Sequence, residues 1–120
     1  MLFEDLKISN LVVGQQDSIK EVLEAITYNC QGTAIVVDDS FSVVGVVSDG
    51  DIRRFLLRGN RLTSPVSEAV NLNPVFLQAG EQAEAEIKQL FENHPGVTIM
   101  PVVDKDNRLV DVVVRNRILT

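Results

Sequence analysis

The sequence predicts a mixed α/β chain made of two copies of one unit, and three observations lead to that class. The pattern of residues 36–52 returns 66 positions later without a gap: Val36-Val37-Asp38 falls on Val102-Val103-Asp104, Val44 on Val110, Val46-Val47 on Val112-Val113, and Ile52 on Ile118. Each copy combines a helical apolar stripe with short valine-rich runs of strand length, as expected of small sheets covered by helices. With 120 residues and 45% hydrophobic content, the chain has the size and composition of one ordinary domain with its own core.

The elements follow in order. Asp17-Ser18-Ile19-Lys20-Glu21 opens a helix, because Ser18 and Glu21 stand at capping-box spacing and Ile19, Val22, Leu23 and Ile26 make one stripe. Residues 34–38 read as a buried strand, which turns over Asp39, Ser40 and Phe41 into a second strand at 43–47. A helix then runs from Asp49 or Asp51 to Arg58, with Gly59 supplying the left-handed residue that closes it. Residues 60–73 connect the copies, and Ser64-Pro65-Val66-Ser67-Glu68 starts a short helix with a proline in its first turn.

Copy two repeats the order. A short strand is expected at 74–77, and a helix at 82–93 with Ala83, Ile87, Leu90 and Phe91 inward; Pro95-Gly96 makes a break. Strands at 98–104 and 109–114 follow, joined by Lys105-Asp106-Asn107. The offset between helices is nearer 64 than 66, which gives copy two a longer loop around Pro95. Copy one continues past its motif through Phe55-Leu56-Leu57-Arg58-Gly59, whereas copy two stops at Thr120. The expectation is therefore two repeats, 1–60 and 61–120, the second without its final helix, at the front of a longer polypeptide.

Composition narrows the function. The longest nearly apolar run, residues 97–103, is far too short for a membrane span, and Glu4 and Asp5 do not fit a signal peptide, so the chain reads as cytoplasmic. A lone Cys30 forms no internal disulfide, and a lone His94 builds no zinc site, so both read as structural and no metal is expected. A net charge of −6 argues against nucleic acid. All seven arginines nevertheless lie in two windows equivalent under the repeat: Arg53, Arg54, Arg58 and Arg61 in one, and Arg108, Arg115 and Arg117 in the other. Solvated faces account for Arg58 and Arg61, while Arg53, Arg54, Arg115 and Arg117 are open to either that reading or an anion.

Gly45-Val46-Val47-Ser48-Asp49-Gly50-Asp51 carries the chemistry. An apolar strand ends there in a hydroxyl and, three residues later, a carboxylate at a helix start. A carboxylate accepts hydrogen bonds from both hydroxyls of a ribose, and a serine hydroxyl with N–H groups at a helix start holds a phosphate. Gly50 leaves room for the ligand. A local role is open as well: Ser48 caps the helix and Asp51 puts negative charge in its first turn, and the two roles coexist. In copy two Asp111, Val114 and Arg117 stand where copy one has Gly45, Ser48 and Asp51, so the polar groups are lost and the scaffold stays. Copy one is equipped to bind, copy two to support.

The repeated Val-Val-Asp and Gly-Val-Val blocks, the Gly-x-x-Ser-x-x-Asp of residues 45–51, and the linker Pro65-Val66-Ser67-Glu68 running into Asn73-Pro74 together resemble a tandem pair of CBS domains, the cystathionine-β-synthase type of regulatory module. The resemblance covers nearly the whole chain. It implies two β-α-β-β-α repeats related by a pseudo-twofold axis, each a small sheet with helices on one face, with clefts between them for adenosine nucleotides. It implies a sensor that modulates a fused catalytic domain, with AMP, ADP or ATP as regulatory ligand. Carried over by position, Val46, Ser48, Gly50 and Asp51 pair with Asn73, Pro74, Val75, Val97, Thr98 and Ile99 as base pocket, while plain core packing stays open for the apolar members. Arg53, Arg54 and Arg117 are the phosphate candidates. The mirror-image cleft would join Gln31, Gly32 and Thr33 to Val114 and Arg117; lacking a ribose carboxylate, it leaves one nucleoside per chain.

Ser48-Asp49-Gly50-Asp51-Ile52-Arg53-Arg54 and Val110-Asp111-Val112-Val113 look like CBS pairs attached to sugar nucleotidyltransferases, with sugar-phosphate isomerases as the alternative host. A homodimer is expected through Phe55, Leu56, Leu57 and Leu90. A ligand-free dimerisation unit is the competing reading. An independent enzyme is disfavoured by the lack of a nucleophile-base pair, metal cluster, P-loop or paired acids.

Overall fold

The computed structural model describes residues 10–80 and 83–118, the last two by backbone alone. Copy one comprises β1 (Val12–Gly14), α1 (Ile19–Asn29), β2 (Thr33–Val37), β3 (Val43–Ser48) and α2 (Asp49–Leu57). A 3₁₀ turn, Val66–Glu68, lies in the linker. Copy two comprises β4 (Leu77–Gln78), α3 (Glu84–Asn93), β5 (Ile99–Val103), β6 (Leu109–Val114) and α4 (Arg115–Ile118). In each copy the first strand pairs parallel with the second and the second antiparallel with the third, giving sheets β1-β2-β3 and β4-β5-β6. This is the mixed α/β class expected from the sequence, in the β-α-β-β-α order that the resemblance implies.

Alternation along β2 explains the layering, because successive strand residues face opposite ways. Ala34 and Val36 face the helices, joining Ile19, Val22 and Ile26 of α1, Ile52 and Phe55 of α2, and Val66 in one core. Ile35 and Val37 face the other sheet and share a second core with Ile99, Leu109, Val112 and Val114. The copies therefore fuse back to back. Their hairpins also bond symmetrically: Val43 N–H donates to Asn107 O and Leu109 N–H to Phe41 O, each at 3.0 Å. Phe41 and Asn107 are 66 positions apart and both have φ of 64°.

The capping box at Ser18 forms as read, with Glu21 N–H on Ser18 Oγ at 3.1 Å and Ser18 N–H on Glu21 Oε1 at 3.2 Å. Backbone and hydroxyl donors of Ser18 hold the Glu21 carboxyl below its ordinary range. The helix ends at Cys30, which adopts φ of 60°.

Several expectations are corrected. Strand β1 carries no periodic signal of its own, since three residues are too few, and it exists by pairing with Ile35 to Val37. The strand expected at 74–77 is Leu77–Gln78, the two residues that find partners, Val102 and Val103, on β5. Helix α3 begins at Glu84; of its expected inward residues only Phe91 is buried, Ile87 and Leu90 are half-buried, and Ala83 is the exposed N-cap. After β6 the described residues form one helical turn, Arg115–Ile118, at the position equivalent to the start of α2. Phe55, expected on an outer face, is 4% exposed inside copy one's core, and Leu57 is the outward residue at 80%.

Candidate functional site

Strand β3 delivers Ser48 to the start of α2 in extended conformation, φ −106°. Its hydroxyl accepts from Asp51 N–H at 3.1 Å, and Asp51 Oδ2 accepts from Ser48 N–H at 2.9 Å. Both residues thus do perform the capping role. The serine proton remains available for donation, and carboxylate oxygens accept more than one bond, so a ligand can add to this arrangement. Asp51 Oδ1 accepts from the Arg54 guanidinium at 2.9 Å, and the Asp51 side chain is 26% exposed. Asp49 N–H reaches Gly32 O at 2.9 Å, tying the helix start to the entry of β2.

Ser48 and Asp51 open onto a cleft of about 240 Å³. Val46, Val75, Val97, Thr98 and Ile99 line it too, as proposed from the sequence. Gly50, Asn73 and Pro74 do not line it. A Cβ at Gly50 would stand 3.2 Å from Arg54 Nη1, so this glycine leaves space for the arginine to fold back toward Asp51. Asn73 is exposed and donates its N–H to Asn71 Oδ1 at 3.1 Å. Pro74 lines a separate cavity of about 170 Å³ with Val43, Val44 and Phe76. Arg53 is exposed on α2, outside the lining residues.

Gln31, Gly32 and Thr33, assigned from sequence to the mirror cleft, line this same cleft instead. The entries of β2 and β5 meet at the pseudo-twofold axis, where Thr98 Oγ1 donates to Gln31 O at 2.8 Å across 67 residues. Segments that touch at the axis are shared by whatever cleft lies beside it. Val114, the partner of Ser48 under the repeat, is 3% exposed in the shared core. The side chain of Arg117 lies outside the described residues, as does any role it has toward phosphate.

Asn71 and Gly96 also line the cleft and were missed. Asn71 is held by the linker crossing β3, with Asn71 N–H on Val46 O at 2.7 Å and Val46 N–H on Asn71 O at 3.1 Å. A Cβ on Gly45 would overlap the Asn71 carbonyl oxygen. That glycine in a run of valines was the available signal for a close backbone approach.

Arg115 does not line the cleft but braces the segment that does, Gly96 to Thr98. Its guanidinium donates to the carbonyl oxygens of Val97 at 2.8 Å, Phe91 at 2.6 Å and His94 at 2.8 Å, and lies 4.8 Å from the Phe91 ring centroid. A cation at the carbonyl end of α3 meets the negative pole of that helix and ties the 94–97 loop to the end of β6. We expect Arg115→Ala to lower stability by about 2 kcal/mol, the scale of hydrogen bonds made by a charged donor. A urea midpoint shift at unchanged slope checks it, and an unmoved midpoint would contradict this bracing role. Among the described residues no group of three or more His, Cys, Asp or Glu side chains converges as a metal site would require.

Residues 4–58 match the family model described as CBS domain. Arabinose 5-phosphate isomerase GutQ of Salmonella typhi is 35% identical over 96 residues, which cover 80% of this chain and 29% of the isomerase. A CBS domain pair/ACT domain protein from Thermotoga maritima superposes with a TM-score of 0.75 at 27% identity, covering 90% of this chain and 84% of that one. A CBS domain protein from Pyrobaculum aerophilum, complexed with AMP, superposes at 0.70 with 23% identity, covering 91% and 82%. The chain spans less than a third of the length of the isomerase it matches.

Proposed function

The chain is a CBS domain pair, a regulatory and non-catalytic module, and on that premise we propose that it senses an adenine nucleotide in the cleft at Ser48 and Asp51. The observation that carries this reading is the position of those two side chains: a hydroxyl and a carboxylate at one helix start, opening onto a cleft whose other walls come from both copies. Asp51 takes the ribose hydroxyls, the Ser48 hydroxyl donates its free proton to the ligand, and the entries of β2 and β5 read the base. The solved Pyrobaculum aerophilum relative, complexed with AMP, supports the ligand class.

A ligand that touches both copies binds best when they are correctly apposed, so it shifts the population of arrangements toward that state. The isomerase relative supports a sugar-phosphate isomerase as host in preference to a nucleotidyltransferase. The module then works in the cytoplasm, where the exposed Cys30 stays reduced. Among the described residues no helix is long and apolar enough to cross a membrane. Pairing of two such modules would use the exposed Tyr28, Leu57 and Leu62.

Thermal unfolding with AMP, ADP, ATP and S-adenosylmethionine tests the reading, since a ligand at about 100 times its Kd adds about 2.7 kcal/mol. We expect a rise with adenine nucleotides. No shift with any of the four would favour a ligand-free dimerisation unit.

A further inference from the structure

Asp51 is the sole charged side chain among the described residues lining the cleft, and the other lining side chains are neutral. Arg53 is exposed on α2 and does not line the cleft. Arg115 has its guanidinium on the carbonyl oxygens of Phe91, His94 and Val97 and against the Phe91 ring, and does not line the cleft. Arg54 is the cation in contact with the site, and its partner is Asp51 itself.

We propose, resting on the nucleotide reading above, that this cleft selects a nucleotide with a single phosphate and discriminates against di- and triphosphates. Ribose hydroxyls that hydrogen-bond Asp51 compete with Arg54 for the same carboxylate. The displaced guanidinium, 61% exposed on its helix, is then free to meet a phosphate with its two-pronged donor geometry. Arg54 thus changes partner from carboxylate to phosphate as the ligand enters. Asp51 is then held by neutral ribose hydroxyls, and the single guanidinium is matched to a single phosphate. A second and third phosphate each add negative charge near Asp51 with no further cation among the described lining residues to meet them.

Calorimetric titration of adenosine, AMP, ADP and ATP without magnesium tests this, on the chain and on Arg54→Ala. The expected order is AMP tightest, with ATP about tenfold weaker and adenosine about tenfold weaker than AMP, a scale set by the loss of one charged contact. In Arg54→Ala the ratio of AMP to adenosine affinity should collapse toward one. ATP binding as tightly as AMP, or an unchanged ratio in the variant, would overturn the single-phosphate inference while leaving nucleotide sensing intact. Heat from none of the four ligands would remove the nucleotide reading itself, and this inference with it.

Discussion

Asp51→Ala is expected to raise the Kd for nucleotide about 10- to 100-fold, corresponding to loss of roughly 1.5–3 kcal/mol from hydrogen bonds made by a charged acceptor. The carboxylate is placed for that role by its own helix: Ser48 N–H fixes Oδ2, which aims the group into the cleft at no further conformational cost. The same contact means that the variant also loses half of a capping box, at about 1 kcal/mol of stability. Asp51→Asn separates the two effects. An asparagine oxygen still accepts from Ser48 N–H, so stability should be largely restored, whereas its neutral amide holds ribose hydroxyls and Arg54 less strongly. Calorimetry and urea unfolding measured together on both variants read the effects apart. Unchanged affinity in both would place the ligand elsewhere.

Gly45→Ala has the largest expected effect on the fold, a loss of about 2–4 kcal/mol, at the upper end for overpacking because the obstacle is backbone. The added methyl would meet the Asn71 carbonyl oxygen and the Val70 side chain. The carbonyl cannot move without breaking the hydrogen bonds that seat the linker on Val46. Releasing the linker also withdraws Asn71 from the cleft, so nucleotide affinity should fall in the same variant. Urea unfolding gives the stability loss, and calorimetry below the transition gives the affinity. A variant as stable as the parent would show that the linker does not need this close approach.

What the sequence by itself determined lies within short reach along the chain. Ser18 with Glu21, and Ser48 with Asp51, form capping boxes because side chain and backbone three residues apart meet once the first turn closes. Continuous apolar runs marked β2 and β5 as strands buried on both faces, and the 66-residue repeat determined that the fold has two equivalent halves. Tertiary structure decided the rest. Whether Phe55 faces a partner or the core depends on where α1 packs, and it packs over Phe55. Whether Arg115 meets a ligand or a carbonyl depends on where α3 ends, which is against its guanidinium. Gln31 was legible as a strand-entry residue, but its membership of the Ser48 cleft comes from Thr98, 67 positions away, bonding to it where the two sheets meet back to back. Local spacing sets torsions and near hydrogen bonds; a cleft at an axis exists only after burial of Ile35, Val37, Ile99 and Leu109 has chosen how the halves dock, and that choice is collective.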